Sequence, residues 1–176
     1  YTAPTGTHKV KVEAMASAQF VTGAVIGKDN NNRQITAATK LTDIEGFSEE
    51  GKINITVGGI KAEPFEVTED STVADFISSL RKAGLNANFD STHKRIFISS
   101  KESGLKNQFS ITGGANVNLA KLGLDNSITN VAKPQDGNDG MVVVAAADAA
   151  IIYNGSKLTS SSNNITVNGL NFTIKG

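Results

Sequence analysis

The sequence contains no cysteine and no tryptophan, and only three of its 176 residues are proline. Without cysteine the chain can form no disulfide and offers no thiolate to a metal ion. Its 17 basic and 17 acidic residues cancel, so no strong attraction to nucleic acid or to an acidic membrane surface is expected. We therefore predict that neither nucleic acid nor a membrane is a partner.

Long apolar runs are also missing. The longest covers about ten residues, from Met141 to Ala150, and includes Asp148, whereas a transmembrane helix needs about 18. No secretory signal peptide is visible. Because the chain starts at Tyr1 and not at Met, we interpret it as a fragment whose targeting information can lie outside it.

The sequence is instead rich in Asn, Thr, Ser and Gly. This composition is typical of antiparallel sheets with many turns, and it does not favour long helices. A chain of this length makes one or two small domains and buries about 70% of its unfolded surface. It therefore needs neither disulfides nor metals for stability.

Three short segments predict β-hairpins with two-residue turns. The turns are Gly58-Gly59, Asn154-Gly155 and Asn168-Gly169, pairs that suit type I′ turns because both central residues take positive φ. The predicted opposite residues are Val57 and Ile60, Tyr153 and Ser156, and Val167 and Leu170. The first and third hairpins, NITVGGI and NITVNGL, are near copies. Their separation of about a hundred residues exceeds the roughly 20 to 50 of stacked repeats.

One amphipathic helix is predicted at residues 72–84. Thr72 can cap its N-terminus, with Asp75 reaching back in a capping box. Apolar residues then recur at helical spacing, and Gly84 follows where a left-handed residue ends a helix. The predicted buried stripe consists of Val73, Phe76, Ile77 and Leu80.

Strands flank this helix, which predicts a β-β-α-β-β-(β) module at about residues 51–115 whose sheet covers the stripe. Further upstream, Val10 and Val12 alternate with charged residues and predict a half-buried strand at residues 7–14. Residues 27–34 and 125–140 are rich in turn formers and predict loops or a crossing between domains.

Residues that carry chemistry are few and scattered. His8 and His93 each lie alone in the sequence, so we interpret both as exposed polar residues. The paired carboxylates Glu49-Glu50 and Glu69-Asp70 lie beside predicted turns or helix starts, where solvation and helix-dipole support account for them. No G-x-S-x-G nucleophile motif occurs.

Other motifs are weak. The DGNDG segment at 136–140 resembles the start of a calcium loop, but position 12 is Ala147 where an EF-hand needs Glu. The Gly-Gly pairs lack the residues of a phosphate loop. We therefore assign no catalytic, cofactor-binding or metal-ligating residue and no cofactor, and we expect a structural or binding module, not an enzyme.

Three stretches, in this order, resemble the flagellar filament-capping (hook-associated cap) proteins. The first is HKVKVEAMASAQFV, at 8–21. The second is the hairpin–helix–hairpin module at 51–104, followed by ANVNLAKLGL at 115–124. The third, at 147–176, runs from ADAAIIYNG to the final hairpin and is the most specific of the three, since other flagellar axial proteins also carry the middle module.

The resemblance implies an α+β fold, mainly antiparallel β, with two β-rich domains, one inserted in the other. Residues 1–48 and 137–176 would form a discontinuous outer head domain, and residues 49–136 an inserted flagellin-type domain. The strand at 8–14 would then pair with the terminal hairpins. The family's long helical termini, which form coiled coils in the full-length protein, would flank this chain on both sides.

The resemblance also implies a non-enzymatic function. Cap proteins form a homo-oligomeric ring at the distal tip of the extracellular filament, reach it by flagellar export and promote flagellin assembly. The expected partners are thus other copies and flagellin, with host mucin or surface glycans as ligands in an added adhesion role. Two alternatives stay open: a flagellin or hook–filament junction domain, and an unrelated β-rich adhesin or carbohydrate-binding module.

Overall fold

The structure of the chain is a computed structural model, described here for residues 6–47, 50–135 and 140–176. The strands are β1 (Val10–Ala14), β2 (Phe20–Thr22), β3 (Gly51–Val57), β4 (Ile60–Lys61), β5 (Phe65–Val67), β6 (Leu85–Asp90), β7 (Arg95–Ser100), β8 (Phe109–Gly113), β9 (Ser127–Ile128), β10 (Val142–Val144), β11 (Ala149–Tyr153), β12 (Ser156–Ser160), β13 (Asn164–Val167) and β14 (Leu170–Thr173). The α-helix is α1 (Val73–Lys82), and 3-10 helices span Leu41–Asp43, Leu105–Asn107 and Leu119–Leu122.

The described strands form four antiparallel sheets. One has the order β10-β2-β7-β6, and another has the order β4-β3-β8-β9 with β5 also paired to β3. The two smaller sheets are β1-β11-β12 and β13-β14. The predicted fold class, α+β and mainly antiparallel β, is confirmed. No helix in the described ranges has the length and apolar character that a membrane span requires.

The three predicted hairpins are confirmed with their registers. Val57 pairs with Ile60, Tyr153 with Ser156, and Val167 with Leu170. All six turn residues have positive φ, from 46° at Asn154 to 85° at Gly155. The turn chemistry therefore determines the register in each hairpin, because this backbone geometry suits Gly and Asn and strains other residues.

The predicted helix and its capping box are also confirmed. The backbone N–H of Asp75 donates to Thr72 Oγ1 at 3.2 Å, and the Thr72 N–H donates to Asp75 Oδ2 at 2.9 Å. The four stripe residues are all buried. Phe76 packs against Phe65 of β5, with ring centroids 5.8 Å apart.

We expect Thr72→Ala to lower the free energy of unfolding by about 1 kcal/mol, because it removes the hydroxyl that caps the first helical turn. Urea unfolding followed by circular dichroism measures the change. Thr72→Ser keeps the hydroxyl and is the control; an equal loss in both variants would show that the cap does not stabilise the helix.

The arrangement of strands around α1 differs from the expected single sheet. The hairpin before the helix lies in the sheet with β8 and β9, whereas β6 and β7 after the helix lie in the sheet with β2 and β10. The segment at 60–67, just before the helix, contains two short strands, β4 and β5, separated at Pro64, which has no N–H for the ladder. The helical stripe belongs to one core cluster with residues of both sheets.

The buried apolar residues form two clusters. The larger contains residues between Val21 and Val143, including α1, and the smaller contains residues of β11, β13 and their surroundings, with Ala16, Ile151 and Ile174 among them. The expected division at 48 and 137 placed residues 21–47 in the outer domain, but Ile35, Leu41 and Phe47 belong to the larger cluster. We propose that the chain consists of two units, one around each cluster. The chain would then cross from one unit to the other near residues 17–20 and 144–147.

Strand β1 pairs antiparallel with β11, as expected for the strand at 8–14. The expectation that this strand is half-buried is wrong, because all five of its residues are exposed, with Val10 at 40% and Val12 at 50%. β1 is an edge strand of its sheet, so the residues that bury β11 leave the side chains of β1 exposed.

Candidate functional site

The two histidines lie beside different sheets, His8 just before β1 and His93 in the β6–β7 turn, so the structure does not bring them together. His8 stacks on Tyr153 with ring centroids 5.7 Å apart, and its Nδ1 lies 2.6 Å from the tyrosine hydroxyl. His93 is exposed in the β6–β7 turn, with Nδ1 2.7 Å from Asp90 Oδ2. In the part of the chain that the structure describes, no three metal-ligating side chains cluster.

The carboxylate pairs have surface positions where the structure describes them. Glu50, Glu69 and Asp70 are exposed, and Asp70 Oδ1 lies 3.6 Å from Lys40 Nζ. Glu49 and residues 136–139 of the calcium-like segment lie outside the described residues. The described carboxylates Glu50, Glu69 and Asp70 face solvent, Asp70 beside a surface lysine, and the structure assigns these three no chemistry.

Two aspartates that sequence reasoning passed over organise loops. Asp90 Oδ1 accepts from the backbone N–H groups of His93 and Thr92, at 3.0 and 2.9 Å. The His93 backbone bond, followed by the His93 side chain, lowers the pKa of Asp90. The buried Asp29 likewise accepts from the backbone N–H of Arg33 at 2.8 Å, which contributes most to lowering its pKa.

Both loops are expected to make stability depend on pH. The folded-state pKa of Asp90 lies below its ordinary value of 3.8. The contribution of Asp90 to the free energy of unfolding is therefore complete above pH 3.8 and is lost as the pH falls through the folded-state pKa. We expect the stability difference between wild type and Asp90→Asn to shrink in acid. Urea midpoints between about pH 7 and about pH 2 measure it; a constant difference would contradict the assignment.

The two proposed units, one around each cluster of buried residues, meet at a junction of four segments: residues 16–19, 103–105, 145–148 and 161–163. Ser17 and Ala147 exchange two backbone hydrogen bonds, at 2.9 and 3.1 Å. The loop after β7 adds a third connection, since the Gly104 N–H donates to Ser17 O at 3.0 Å. The Leu105 N–H donates to Asp148 Oδ1 at 2.9 Å. The units are thus tied by more than the two chain crossings.

Three carboxamide side chains add to this connection, because each forms the pair of hydrogen bonds that the backbone of a neighbouring strand would form. Gln19 exchanges two hydrogen bonds with the backbone of Phe109, Asn130 with Ala146, and Asn163 with Ala16. A side-chain amide has the same donor and acceptor as a peptide group. Gln19 is fully buried, at 0% exposure, so its bonds satisfy backbone groups that water does not reach.

We expect Gly104→Ala to lower the free energy of unfolding by about 2 kcal/mol, since its φ of 101° and ψ of 154° strain any other residue. An added Cβ would also meet the Cβ of Ser161 at 2.6 Å and its Cα at 2.8 Å. Thermal and urea unfolding test this. Gly140→Ala is the control, because no atom lies within 4 Å of a Cβ added there; equal effects would contradict a tight junction.

The solvent-facing side of the sheet β10-β2-β7-β6, here called the outer face, carries exposed aromatic side chains. The register aligns its residues in two rows: Val144, Phe20, Ser99 and Asn86, then Val142, Thr22, Phe97 and Asn88. Phe20 is 52% exposed, Val144 49% and Phe97 39%, and both asparagines are exposed. The opposite side, with Val21 and Ile98, is buried.

A second surface feature is an open groove of about 750 Å³ between the end of α1 and the segment from β4 to β5. Ile60, Phe65 and Lys82 line it. The lining also includes the Lys52–Glu66 ion pair, whose atoms lie 3.4 Å apart. The groove thus mixes apolar and charged groups, and the outer face is the more apolar candidate for binding.

No family model matches the sequence, and a comparison with curated proteins finds no match. Solved structures do match. The D2-D3 domains of the flagellar cap protein FliD from Serratia marcescens align with 98% of this chain and 88% of that one, at 22% identity and a TM-score of 0.63. The Escherichia coli FliD D2-D3 domains align over 100% and 84%, at 20% identity and 0.64.

FliD (HAP2) from Pseudomonas aeruginosa PAO1 aligns with 100% of this chain and 76% of that one, at 21% identity and a TM-score of 0.67. These alignments include both units described above, from the first strand to the last hairpin. The chain therefore has the fold of the D2-D3 head region of flagellar cap proteins, the fold that its sequence resemblance implies.

Proposed function

We propose that this chain is the head region of a flagellar filament cap, which forms a plate at the filament tip and promotes flagellin assembly. The observation that carries the proposal is the alignment of 98–100% of the chain with FliD structures. The three resembling stretches support it independently, because they occur in the order that the family has. Proposed partners are further copies of the protein and flagellin.

The geometry suits a structural function. A plate that holds incoming subunits needs fixed surfaces, and the junction supplies them by tying two β-rich units through backbone and carboxamide hydrogen bonds. The similarity to flagellar cap proteins supports a non-enzymatic function. The proposed location, outside the cell after flagellar export, is compatible with a chain that needs no disulfide.

Deleting the gene in its source bacterium tests the proposal. Without a cap, exported flagellin is not retained at the growing end, so we expect cells with short or absent filaments and flagellin in the medium. A plasmid copy of the full-length gene should restore filaments. Normal filaments in the deletion strain would contradict a cap function and favour an adhesin.

A second proposed function is adhesion through the outer face. Aromatic rings beside amide side chains are the usual means of binding sugars, and Phe97 lies directly opposite Asn88 in the sheet. Phe20 lies diagonally from Phe97 on the same face. The exposure of two phenylalanines there is the specific observation that favours a glycan ligand such as mucin.

Mucin binding by the purified chain tests this second function. We expect Phe97→Ser to weaken binding about tenfold, because an aromatic anchor contributes more than about 1 kcal/mol. Ile60→Ser is the matched control, since Ile60 is 75% exposed on a different sheet. Equal binding by wild type and Phe97→Ser would exclude the outer face as the glycan site.

A further inference from the structure

β1 has an open edge. In the described part of the chain β1 pairs with β11 on one side, and no strand pairs along its other side. An open edge presents a row of N–H and C=O groups that another strand can bind. The five residues of β1 are all exposed, so a second strand could reach this edge without displacing any element that the structure describes.

The pairing with β11 determines which backbone groups are free. Lys9 is bonded on the β11 side, since the Asn154 N–H donates to Lys9 O at 2.9 Å and the Lys9 N–H donates to Asn154 Oδ1 at 2.9 Å. Successive residues of a strand point their backbone groups to opposite sides. The N–H and C=O groups of Val10 and Val12 therefore point to the open edge.

The side chains of β1 leave apolar surface uncovered at the same place. Val10 lies opposite Tyr153 and Val12 opposite Ile151, so both valines continue the apolar face of the sheet. Ile151 is fully buried and Tyr153 is 8% exposed, but Val10 and Val12 are 40% and 50% exposed. A strand added at the edge would cover these two valines.

The sequence of β1 is complementary to itself. When two copies pair antiparallel about Lys11, Lys9 of each copy lies opposite Glu13 of the other, and Val10 lies opposite Val12. This register gives two cross-strand ion pairs and two apolar pairs. In this register Val10 of one copy also lies opposite Val12 of the other. Because the N–H and C=O groups of both residues point to the open edge, the two residues form a hydrogen-bonded pair.

Neighbouring registers are less favourable. Pairing about Val10 would place Lys9 opposite Lys11, and like charges directly opposite are destabilising. Pairing about Val12 would place Lys11 opposite Glu13, but it would also require Ala14, which lies beyond the register shift that follows Val12. A bulge interrupts the ladder at such a point. The Lys11-centred register has no Lys9–Lys11 contacts and needs no residue beyond Glu13, the residue at the shift, at the expense of one Lys11–Lys11 contact.

We propose that the β1 edge is a self-association site that binds β1 of a second copy of this chain antiparallel, about a two-fold axis at Lys11. The paired segment is short and contains one like-charge contact, so the dimer is weak and forms at high protein concentration. This inference rests on the edge strand itself and is independent of the proposed cap function.

Charge-reversal variants test the register, with their dimerisation measured by sedimentation velocity. Lys9→Glu places Glu opposite Glu, and Glu13→Lys places Lys opposite Lys, so each variant alone should have its dissociation constant raised about tenfold. An equimolar mixture of the two variants restores both opposite-charge pairs and should associate at least as well as wild type. A change in the stability of one subunit would not produce this restoration.

A control addresses the contact that Glu13 already makes within its own chain, where its Oε2 lies 3.5 Å from Lys157 Nζ. Lys157→Ala removes that ion pair without changing the β1 edge, and we expect it to leave association unchanged. In the wild-type dimer, the amide hydrogens of Val10 and Val12 should exchange more slowly as concentration rises.

Three results would overturn the proposal. The first is a wild-type chain that stays monomeric up to about 1 mM. The second is a mixture of Lys9→Glu and Glu13→Lys that associates no better than either variant alone. The third is association that survives both charge variants but is lost in Phe97→Ser, which would place the contact on the outer face.

Discussion

Phe76→Ala is expected to lower the free energy of unfolding by about 3–5 kcal/mol. Phe76 is 0% exposed and lies in the centre of the stripe that joins α1 to the larger cluster. Truncation removes the ring contact with Phe65 and leaves a cavity between elements that cannot move together without breaking sheet hydrogen bonds. Leu80→Ala, also at 0% exposure, should cost about 2–5 kcal/mol for the same reason.

Urea unfolding monitored by circular dichroism measures both losses. Ser78→Ala is the matched control, because Ser78 lies on the same helix and is exposed; it should leave stability nearly unchanged. Melting and urea curves of Phe76→Ala that match wild type would show that the helix does not hold the larger unit together.

Gln19→Ala should have an effect of similar size, about 3–5 kcal/mol. The side chain donates from Nε2 to Phe109 O at 3.0 Å and to Thr129 O at 3.3 Å, and its Oε1 accepts from the Phe109 N–H at 2.8 Å. Removing the amide leaves the buried N–H and C=O groups of Phe109 without these partners, and each such group costs about 1–3 kcal/mol. The cavity that remains adds to the loss.

Two further variants define the role of Gln19. Gln108→Ala removes an exposed amide that is hydrogen-bonded to Leu105 O, and we expect a much smaller effect. Gln19→Glu places a carboxylate beside two carbonyl oxygens, where burial raises the pKa of the new acid. Since its folded-state pKa then exceeds the unfolded one, the stability of this variant should fall as the pH rises between the two values.

A pH-independent Gln19→Glu variant with wild-type stability would contradict this account of the junction. It would mean that the backbone groups of Phe109 find other partners when the amide is absent.

Elements whose geometry depends on neighbouring residues were predictable from the sequence. The Asn154-Gly155 and Asn168-Gly169 turns determine their own registers, and the capping box at Thr72 marks the start of α1 within a single helical turn. In each case the residues that determine the structure lie within a few positions of one another, so the sequence displays them directly.

Features that depend on distant segments were not predictable. The two hairpins around α1 join different sheets because β6 and β7 pair with β2 and β10, which lie far from them in the sequence. The burial of Gln19 likewise depends on Phe109, 90 positions away. A polar residue followed by Phe20 and Val21 gives no local sign that its amide replaces a peptide group in the core.

The candidate binding residues of the outer face were likewise not predictable from the sequence. Phe76, which the helical stripe predicts to be buried, and Phe109 lie in the core. Phe20 and Phe97 are exposed, because each occupies the solvent side of a strand whose neighbours Val21 and Ile98 point inward. Strand alternation was available in the sequence, but the side that faces solvent depends on the sheet that forms.

The position of the protein on intact cells tests the proposed cap function most directly. Immunogold electron microscopy with an antibody raised against this chain should label one point at the distal tip of each filament. Label along the whole filament would indicate a flagellin, label at the proximal end a hook–filament junction protein, and label on the cell body an adhesin. Any of these three patterns would contradict the proposal that this chain is the head of a filament cap.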